Sequence, residues 1–192
     1  MKLNATTKRQ ATARAHANIA LVKYWGKRDG SLNLPATSSL SITLDSLTTT
    51  ASVEFDSGLD IDEFFLNEKP APQMGIRVSK FLDIIRREQN LPCFAKITSK
   101  NNFPTGAGLA SSASGFAALV TAIDHALNLN MSQKSMSILA RQGSGSAARS
   151  IFGGFCEMKK GIELDGSDSF AVKIHDSSHW PLKVFIAITD SS

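Results

Sequence analysis

The segment 110–127, a long run of small and apolar residues, most constrains how this 192-residue chain folds. Its apolar side chains recur at three- and four-residue spacing, which predicts an amphipathic helix. The residues that this helix would bury are Ala113, Phe116, Ala117, Val120 and Ile123. Because several of these side chains are small, we expect the helix to pack closely against a sheet.

The other periodic segments predict an α+β order of elements rather than a repeating β–α–β unit. Helical spacing continues from Met74 to before Pro92 and again over 132–142. Alternating patterns predict strands at 11–21, 40–44, 49–55, 61–66, 93–98, 153–158, 170–175 and 182–188. Turn signals lie at 29–30, 33–35 and 57–58. Without a repeat or linker, 1–192 is expected to form one domain, and its end just after an apolar strand suggests the front part of a longer protein.

Composition excludes several classes of protein. The chain is 42% hydrophobic and 20% charged, as in ordinary globular domains. Its net charge of +4 comes from scattered residues rather than a basic stripe, so we expect small anionic ligands and no nucleic acid. No apolar run approaches the ~20 residues of a membrane helix, and no signal peptide is visible, so we expect no membrane segment and a cytoplasmic location. Cys93 and Cys156 are too few for a disulfide framework, and no metal site is predicted.

The segment 101–113, NNFPTGAGLASSA, carries the strongest chemical signal. Gly106 and Gly108 let the backbone approach a ligand closely, and the first N–H groups of the following helix favour a phosphate. Ser111 and Ser112 add hydroxyl donors. The segment is neither a Walker A loop nor a Rossmann fingerprint. A helix start capped by serines explains the same residues equally well, so both interpretations stand.

Two further segments concentrate groups that bind anions. In 143–150, GSGSAARS, glycine and serine again precede a short helix, and Arg149 offers a planar fork to a carboxylate or phosphate. The alternative is a flexible turn with a solvated arginine. Residues 15–29 bring Lys23, Tyr24 and Lys27 together after a strand, where a solvated basic turn is the alternative. The coincidence of three such segments favours anion binding.

With these motifs in order, the chain resembles the mevalonate diphosphate decarboxylase family of the GHMP kinase superfamily. The segment 104–113 is similar to the superfamily as a whole, whereas NIALVKYWGKR at 18–28 and GSGSAAR at 143–149 resemble the decarboxylases specifically. The similarity runs from about Ala13 through Trp180-Pro181. It implies a GHMP kinase-like fold, with an N-terminal domain of the ribosomal protein S5 domain 2-like type and two layers of sheet and helices. It also implies a left-handed β–α–β crossover and a C-terminal domain largely absent from 1–192.

The resemblance further implies a reaction, in which ATP with Mg²⁺ phosphorylates the 3-hydroxyl of mevalonate 5-diphosphate. Loss of phosphate and carbon dioxide then gives isopentenyl diphosphate for isoprenoid biosynthesis. The ATP-binding residues implied are Ser99, Pro104, Gly106, Ala107, Gly108, Leu109, Ala110, Ser111 and Ser112. The substrate-binding residues implied are Asn18, Tyr24, Lys27, Ser144, Gly145, Ser146 and Arg149.

Catalytic roles are implied for Lys23, Ser112 and Arg149. By resemblance, Arg149 would hold the C1 carboxylate, Ser112 or its neighbour Ser111 would orient the transferred group, and Lys23 would neutralise developing charge. Asn18 would support Lys23, and Gly145 would contribute an N–H to the diphosphate clamp. Family members are often homodimers.

The general-base aspartate of the family has no counterpart in this sequence. None of Asp124, Asp165, Asp168 or Asp190 matches its motif, so we assign no base and expect the chain to bind anions without turnover alone. Three alternatives remain open: a relative acting on mevalonate 5-phosphate, a mevalonate kinase without decarboxylation, and a non-catalytic anion-binding domain. The diphosphate-binding residues argue against the first two.

Overall fold

The computed structural model describes residues 9–104 and 109–186. The strands are β1 (Arg9–Val22), β2 (Lys27–Asp29), β3 (Leu34–Pro35), β4 (Ser39–Asp56), β5 (Glu63–Leu66), β6 (Lys69–Pro70), β7 (Phe94–Asn101), β8 (Phe155–Met158) and β9 (Ala171–His175). The helices are α1 (Pro72–Gln89), α2 (Ser111–Leu127), α3 (Gln133–Gly143) and α4 (Ala147–Ser150), followed by a 3₁₀ turn at Ser177–His179. The α+β order predicted from the sequence is confirmed.

Strand β4 lies at the centre of a sheet that contains seven strands within the described ranges. One edge of β4 pairs antiparallel with β1 along most of its length. The other edge pairs with β8 at 39–42 and with β7 at 49–56, so these two strands lie end to end. Strands β5 and β6 extend the sheet beyond β7, and β9 extends it beyond β8. β5 and β7 run parallel and are connected through α1, which gives a β–α–β unit. The left-handed crossover that the resemblance implies for this unit stays a prediction.

The hydrophobic core lies between the sheet and helices α1 and α2. Helix α1 buries Val78, Phe81, Leu82 and Ile85, the face that its spacing predicted. Phe81 packs edge to face on Phe116 of α2, with ring centroids 5.2 Å apart. Large apolar side chains buried in this way each contribute about 1.5–3 kcal/mol. Because five of the other α2 positions are alanine, this helix packs closely on β1 and β4, as expected.

Helix boundaries follow from local chemistry. Pro72 begins α1, where its missing N–H would be unpaired in any case. Asn90 ends α1 in the left-handed conformation, which asparagine tolerates. Ser132 caps α3, since its hydroxyl accepts a hydrogen bond from the N–H of Ser135 at 3.1 Å. None of the helices in the described ranges is long and apolar enough to cross a membrane.

Two strand predictions are wrong in detail. The segments 40–44 and 49–55 belong to one strand, because the polar residues between them form a bulge, in which residues 44–47 of β4 lie opposite Ala17 alone. The segment 182–186 is irregular and exposed rather than a strand, and 187–188 lie outside the described residues. An alternating apolar pattern forms a strand only where a neighbouring strand pairs with it. The turns predicted at 29–30 and 33–35 lie in a β2–β3 hairpin.

Candidate anion-binding site

Helix α2 begins with an open, positively polarised end. Ala110, just before it, has φ 52°, a left-handed conformation that is unfavourable for alanine. Ala110 occupies the cap position and no side chain of the described residues caps the helix, so the interpretation of Ser111 and Ser112 as caps is wrong. The N–H of Ala113 donates to the Ala110 carbonyl at 2.8 Å, whereas the N–H groups of Ser111 and Ser112, at the very start of the helix, are placed to bind an anion. Of the loop residues implied for ATP, Gly106, Ala107 and Gly108 lie outside the described residues, Pro104 is exposed, and Leu109 is half-buried.

Three serine hydroxyls connect this helix end to the turn between α3 and α4. The Oγ atoms of Ser112 and Ser144 lie 3.2 Å apart, and those of Ser144 and Ser146 lie 3.4 Å apart. Two motifs separated in the sequence therefore meet in space. Since a hydroxyl both donates and accepts, each can rotate to donate to the oxygen atoms of a ligand.

Arg149 lies at the back of the same site. Its Nε donates to Ser41 Oγ at 2.9 Å and one terminal nitrogen donates to Ser39 Oγ at 2.7 Å. The other terminal nitrogen donates to Asn18 Oδ1 at 3.3 Å. Asn18 in turn donates through Nδ2 to the Ser146 carbonyl at 3.0 Å and to Ser150 Oγ at 2.7 Å. β1, β4 and α4 thus hold the guanidinium in one orientation.

The charge of Arg149 is the unusual feature of this cluster. The side chain is buried, with the whole residue 3% exposed, and the three groups it binds are neutral. Burial lowers the pKa of Arg149 below its usual value, and the nearby Tyr24 and Cys156 offset this only in part. A guanidinium has five N–H groups, so two remain beyond these three bonds. A buried cation with neutral protein partners is well placed to bind an anionic ligand.

Tyr24 and Lys27 lie beside the Ser144–Ser146 turn. A Cβ atom on Gly145 would lie 2.6 Å from the Tyr24 hydroxyl oxygen, so glycine permits the phenol to contact the turn. Lys27 Nζ donates to Asn33 Oδ1 at 2.6 Å, and Asn33 Nδ2 donates to the Gln142 carbonyl at 2.8 Å. Lys23 is exposed just beyond the end of β1, and no bond from its side chain to this cluster is found among the described residues.

A cavity of about 250 Å³ adjoins the serine cluster between α1, α2, β5 and β7. Ser99, Ser111 and Ser112 line its polar side, and Phe64 and Leu119 belong to its apolar wall. An apolar cavity beside an open helix end suits a ligand with a flat ring and phosphates. The structure therefore brings together Ser99, Ser111 and Ser112, which the sequence had assigned to ATP.

Several members of the site were missed by sequence reasoning. Ser39 and Ser41 of β4 and Asn33 of the hairpin belong to no recognised motif, and Ser150 lies in the 143–150 motif but was given no role there. Ser39 and Ser41 contact a residue more than one hundred positions away, which no local pattern reveals. The one available signal was their spacing: Ser41 lies on the predicted strand 40–44 and Ser39 directly before it, and residues two apart on a strand share a face.

The aspartates weighed from the sequence have structural roles. Asp124 accepts a hydrogen bond from the N–H of Met131 at 2.8 Å. Asp165 and Asp168 accept backbone N–H groups within the 161–169 loop, which lowers the pKa of both carboxyls. Asp190 lies outside the described residues. Within 9–104 and 109–186, no three His, Cys, Asp or Glu side chains converge as a metal site.

The fold defines a domain of the GHMP kinase-like class, with this polar cluster and an apolar cavity beside the start of α2. The chain belongs to the family described as the diphosphomevalonate decarboxylase-like N-terminal domain, whose pattern matches residues 15–171.

Individual relatives are similar over most of the chain. Diphosphomevalonate decarboxylase of Saccharomyces cerevisiae is 45% identical over 185 residues, which cover 89% of this chain and 47% of that protein. The structure of mevalonate diphosphate decarboxylase from Enterococcus faecalis has 49% identity and a TM-score of 0.83, and the match covers 88% of this chain and 52% of that chain. A structure of MDDEF in complex with MVAPP, AMPPCP and magnesium has 49% identity and a TM-score of 0.82, with 88% and 51% covered. The chain thus spans about half the length of the relatives it matches.

Proposed function

We propose that this chain provides substrate- and nucleotide-binding groups for the ATP-dependent decarboxylation of mevalonate 5-diphosphate to isopentenyl diphosphate, ADP, phosphate and carbon dioxide. The observation that carries the proposal is Arg149, buried with neutral partners and adjacent to the turn that contains Ser144 and Ser146. Family membership and the ligands named for MDDEF support the same substrate and nucleotide classes.

In this proposal Arg149 binds the C1 carboxylate through its two remaining N–H groups. A planar fork holds a carboxylate in one orientation, which would fix the bond to be broken relative to C3. The Ser39 and Ser41 hydroxyls and Asn18 hold the guanidinium before the substrate arrives. Tyr24, Lys27 and the Ser144–Ser146 turn would bind the diphosphate, so a substrate with one phosphate would leave part of this cluster unused.

The α2 end and its cavity fit a nucleotide with Mg²⁺. ATP, when bound, supplies the phosphoryl group that converts the 3-hydroxyl into a leaving group. The open N–H groups of α2 and the hydroxyls of Ser111 and Ser112 would hold its phosphates, while the cavity at Ser99 would receive the base. Hydroxyl and phosphate oxygens are the ligands that Mg²⁺ prefers. Lys23, which is exposed and directly precedes Tyr24, would add positive charge.

The test combines binding and product measurements on the 192-residue chain. Calorimetry with mevalonate 5-diphosphate and ATP should show binding of both, and Ser112→Ala should weaken the response to ATP and Mg²⁺. With carboxyl-labelled substrate, matched release of labelled carbon dioxide and ADP would identify decarboxylation by the chain itself. ADP alone would favour a kinase. Binding without products would place further catalytic groups outside 1–192, and an absence of binding would refute the proposal.

The proposal includes a homodimer, which the resemblance implies, and a cytoplasmic location, which the composition of the sequence predicts. Sedimentation velocity at micromolar concentration tests the first, since a monomeric species at all concentrations would contradict it. Imaging of a tagged protein in its own cells tests the second.

A further inference from the structure

We infer that Asn33 is a positioning residue, which fixes the ammonium group of Lys27 beside the Ser144–Ser146 turn. This inference rests on the proposed function, since that function gives Lys27 the role of binding the substrate diphosphate. Asn33 lies in the connection between β2 and β3 and belongs to none of the motifs that suggested the site.

Both ends of the Asn33 carboxamide are in use. Its Oδ1 accepts the hydrogen bond from Lys27 Nζ at 2.6 Å, and its Nδ2 donates to the Gln142 carbonyl at 2.8 Å. The opposite orientation would set an NH₂ group against the ammonium and an oxygen against the carbonyl. The contacts therefore determine which way the amide points. A single side chain links Lys27 to the last turn of α3, directly before Ser144.

Asn33 also lies against the turn through its backbone. Its carbonyl oxygen is 3.9 Å from the position that a Cβ on Gly145 would occupy. Lys27 is otherwise an exposed side chain with many rotamers. Because the carboxamide restricts these rotamers before a ligand arrives, less conformational entropy is lost when the ligand binds.

The chemistry of the acceptor matters as much as its place. A carboxamide oxygen holds the ammonium without neutralising it, and an ammonium has three N–H donors, so two remain for phosphate oxygens. An aspartate at this position would reach equally far. Its charge would pair with Lys27 and repel a diphosphate, and the Gln142 carbonyl would lose its donor.

The backbone at this position permits a clean test. Asn33 has φ 52°, a left-handed conformation that glycine adopts readily, so Asn33→Gly removes the carboxamide without backbone strain. Asn90 has φ 47° at the end of α1, where its backbone N–H donates to the Arg86 carbonyl, and no bond from it to the site is found among the described residues. Asn90→Gly is therefore a matched control for the loss of an asparagine side chain in the same conformation.

The experiment measures the dissociation constant of mevalonate 5-diphosphate by calorimetry for the wild-type chain and its variants. Asn33→Gly should weaken binding roughly tenfold, as for the loss of one hydrogen bond to a charged group, and Asn33→Asp should weaken it further. Asn90→Gly should stay within about twofold of wild type. In a Lys27→Gln background, Asn33→Gly should have little additional effect, because the residue acts through Lys27.

Two results would overturn the inference while leaving the proposed function intact: wild-type affinity in Asn33→Gly, or an equal loss with and without Lys27. A wild-type chain that binds no mevalonate 5-diphosphate would instead refute the proposed function, and with it the role of Lys27.

A second measurement needs no ligand. By NMR, the ammonium protons on ¹⁵Nζ of Lys27 should exchange with water faster in Asn33→Gly and at the wild-type rate in Asn90→Gly. An unchanged exchange rate in both variants would show that Asn33 does not hold the ammonium.

Discussion

Replacing Gly145 with alanine should weaken ligand binding through Tyr24 while leaving the fold intact. The new Cβ would lie 2.6 Å from the Tyr24 hydroxyl oxygen, whereas ordinary contacts begin near 3.4 Å. The phenol must therefore move by about 0.8 Å or more. Tyr24 is half-buried and its hydroxyl is the far end of a side chain, so the movement requires no change in the core.

The expected energies follow from this geometry. The free energy of unfolding should change by less than ~1 kcal/mol, because the steric cost is small and alanine lowers the entropy of the unfolded chain. The affinity for mevalonate 5-diphosphate should fall by about 1–2 kcal/mol, roughly 5- to 30-fold, because one hydrogen bond to a charged group is lost or misaligned. Binding and stability should thus respond very differently to one methyl group.

Tyr24→Phe provides the decisive background. Without the hydroxyl, the nearest atom of residue 24 to the new Cβ is Cζ at 3.6 Å, an ordinary contact. Gly145→Ala should therefore have almost no further effect on affinity in Tyr24→Phe. Gly153→Ala, whose Cβ would meet nothing within 4 Å, is the control. Calorimetry and urea unfolding measure the two quantities, and an equal loss of affinity in both backgrounds would refute the role assigned to Tyr24.

Three further predictions concern packing, charge and the thiols. The Cβ of Gly143→Ala would overlap the Phe116 ring, so we expect its free energy of unfolding to fall by about 2 kcal/mol or more. Gly115→Ala, in open space on α2, should raise the free energy of unfolding by about 0.5–1 kcal/mol, and equal urea midpoints for the two variants would contradict this. Arg149→Lys should weaken mevalonate 5-diphosphate binding roughly 100-fold, because an ammonium cannot replace a planar fork; calorimetry showing near-normal affinity would remove Arg149 from the carboxylate site. Burial raises the pKa of the Cys156 thiol from 9.0 to about 11, so it should react slowly with a thiol reagent at pH 8, and rapid labelling of the folded chain would contradict the burial. Because the thiol ionises in the unfolded chain first, the free energy of unfolding should decline between pH 9 and about 11.

The helices and the anion-binding motifs were predictable because their signals are local. The spacing of Val78 and Phe81 specifies one buried face of α1, which the packing confirms. The prediction of an amphipathic α2 is wrong in this respect, because the run Phe116–Val120 is buried without a break, so this helix is covered on more than one face. The bulge in β4 was interpreted as a break, because exposed polar residues such as Asp45 interrupt the alternation in the same way. The strand predicted at 182–188 is not found over 182–186, since pairing depends on a neighbouring strand and not on the segment alone.

The site shows the same division between local and long-range information. Glycine- and serine-rich segments predicted anion-binding turns from local pattern alone, whereas the 3.2 Å separation of the Ser112 and Ser144 hydroxyl oxygens is seen only in the structure. The groups that hold Arg149 come from distant segments, so their assignment needed the register of β1 on β4. Asn33 is close to Lys27 in sequence, but its bond to the Gln142 carbonyl needed the docking of the β2–β3 hairpin. The roles of these residues in substrate and nucleotide binding stay predictions.

The bulge at residues 44–47 divides the sheet into two half-sheets that share β1. One half, with β8 and β9, carries Ser39 and Ser41; the other, with β7 and β5, carries the wall of the cavity. The bulge is held from both sides, since His16 Nδ1 lies 2.9 Å from the Asp45 carbonyl and Asn102 donates to the Ser46 carbonyl at 2.8 Å. The two halves are therefore connected both by β1 and by the backbone of β4, and the bonds that hold the bulge fix the position of the Arg149 cluster relative to the cavity.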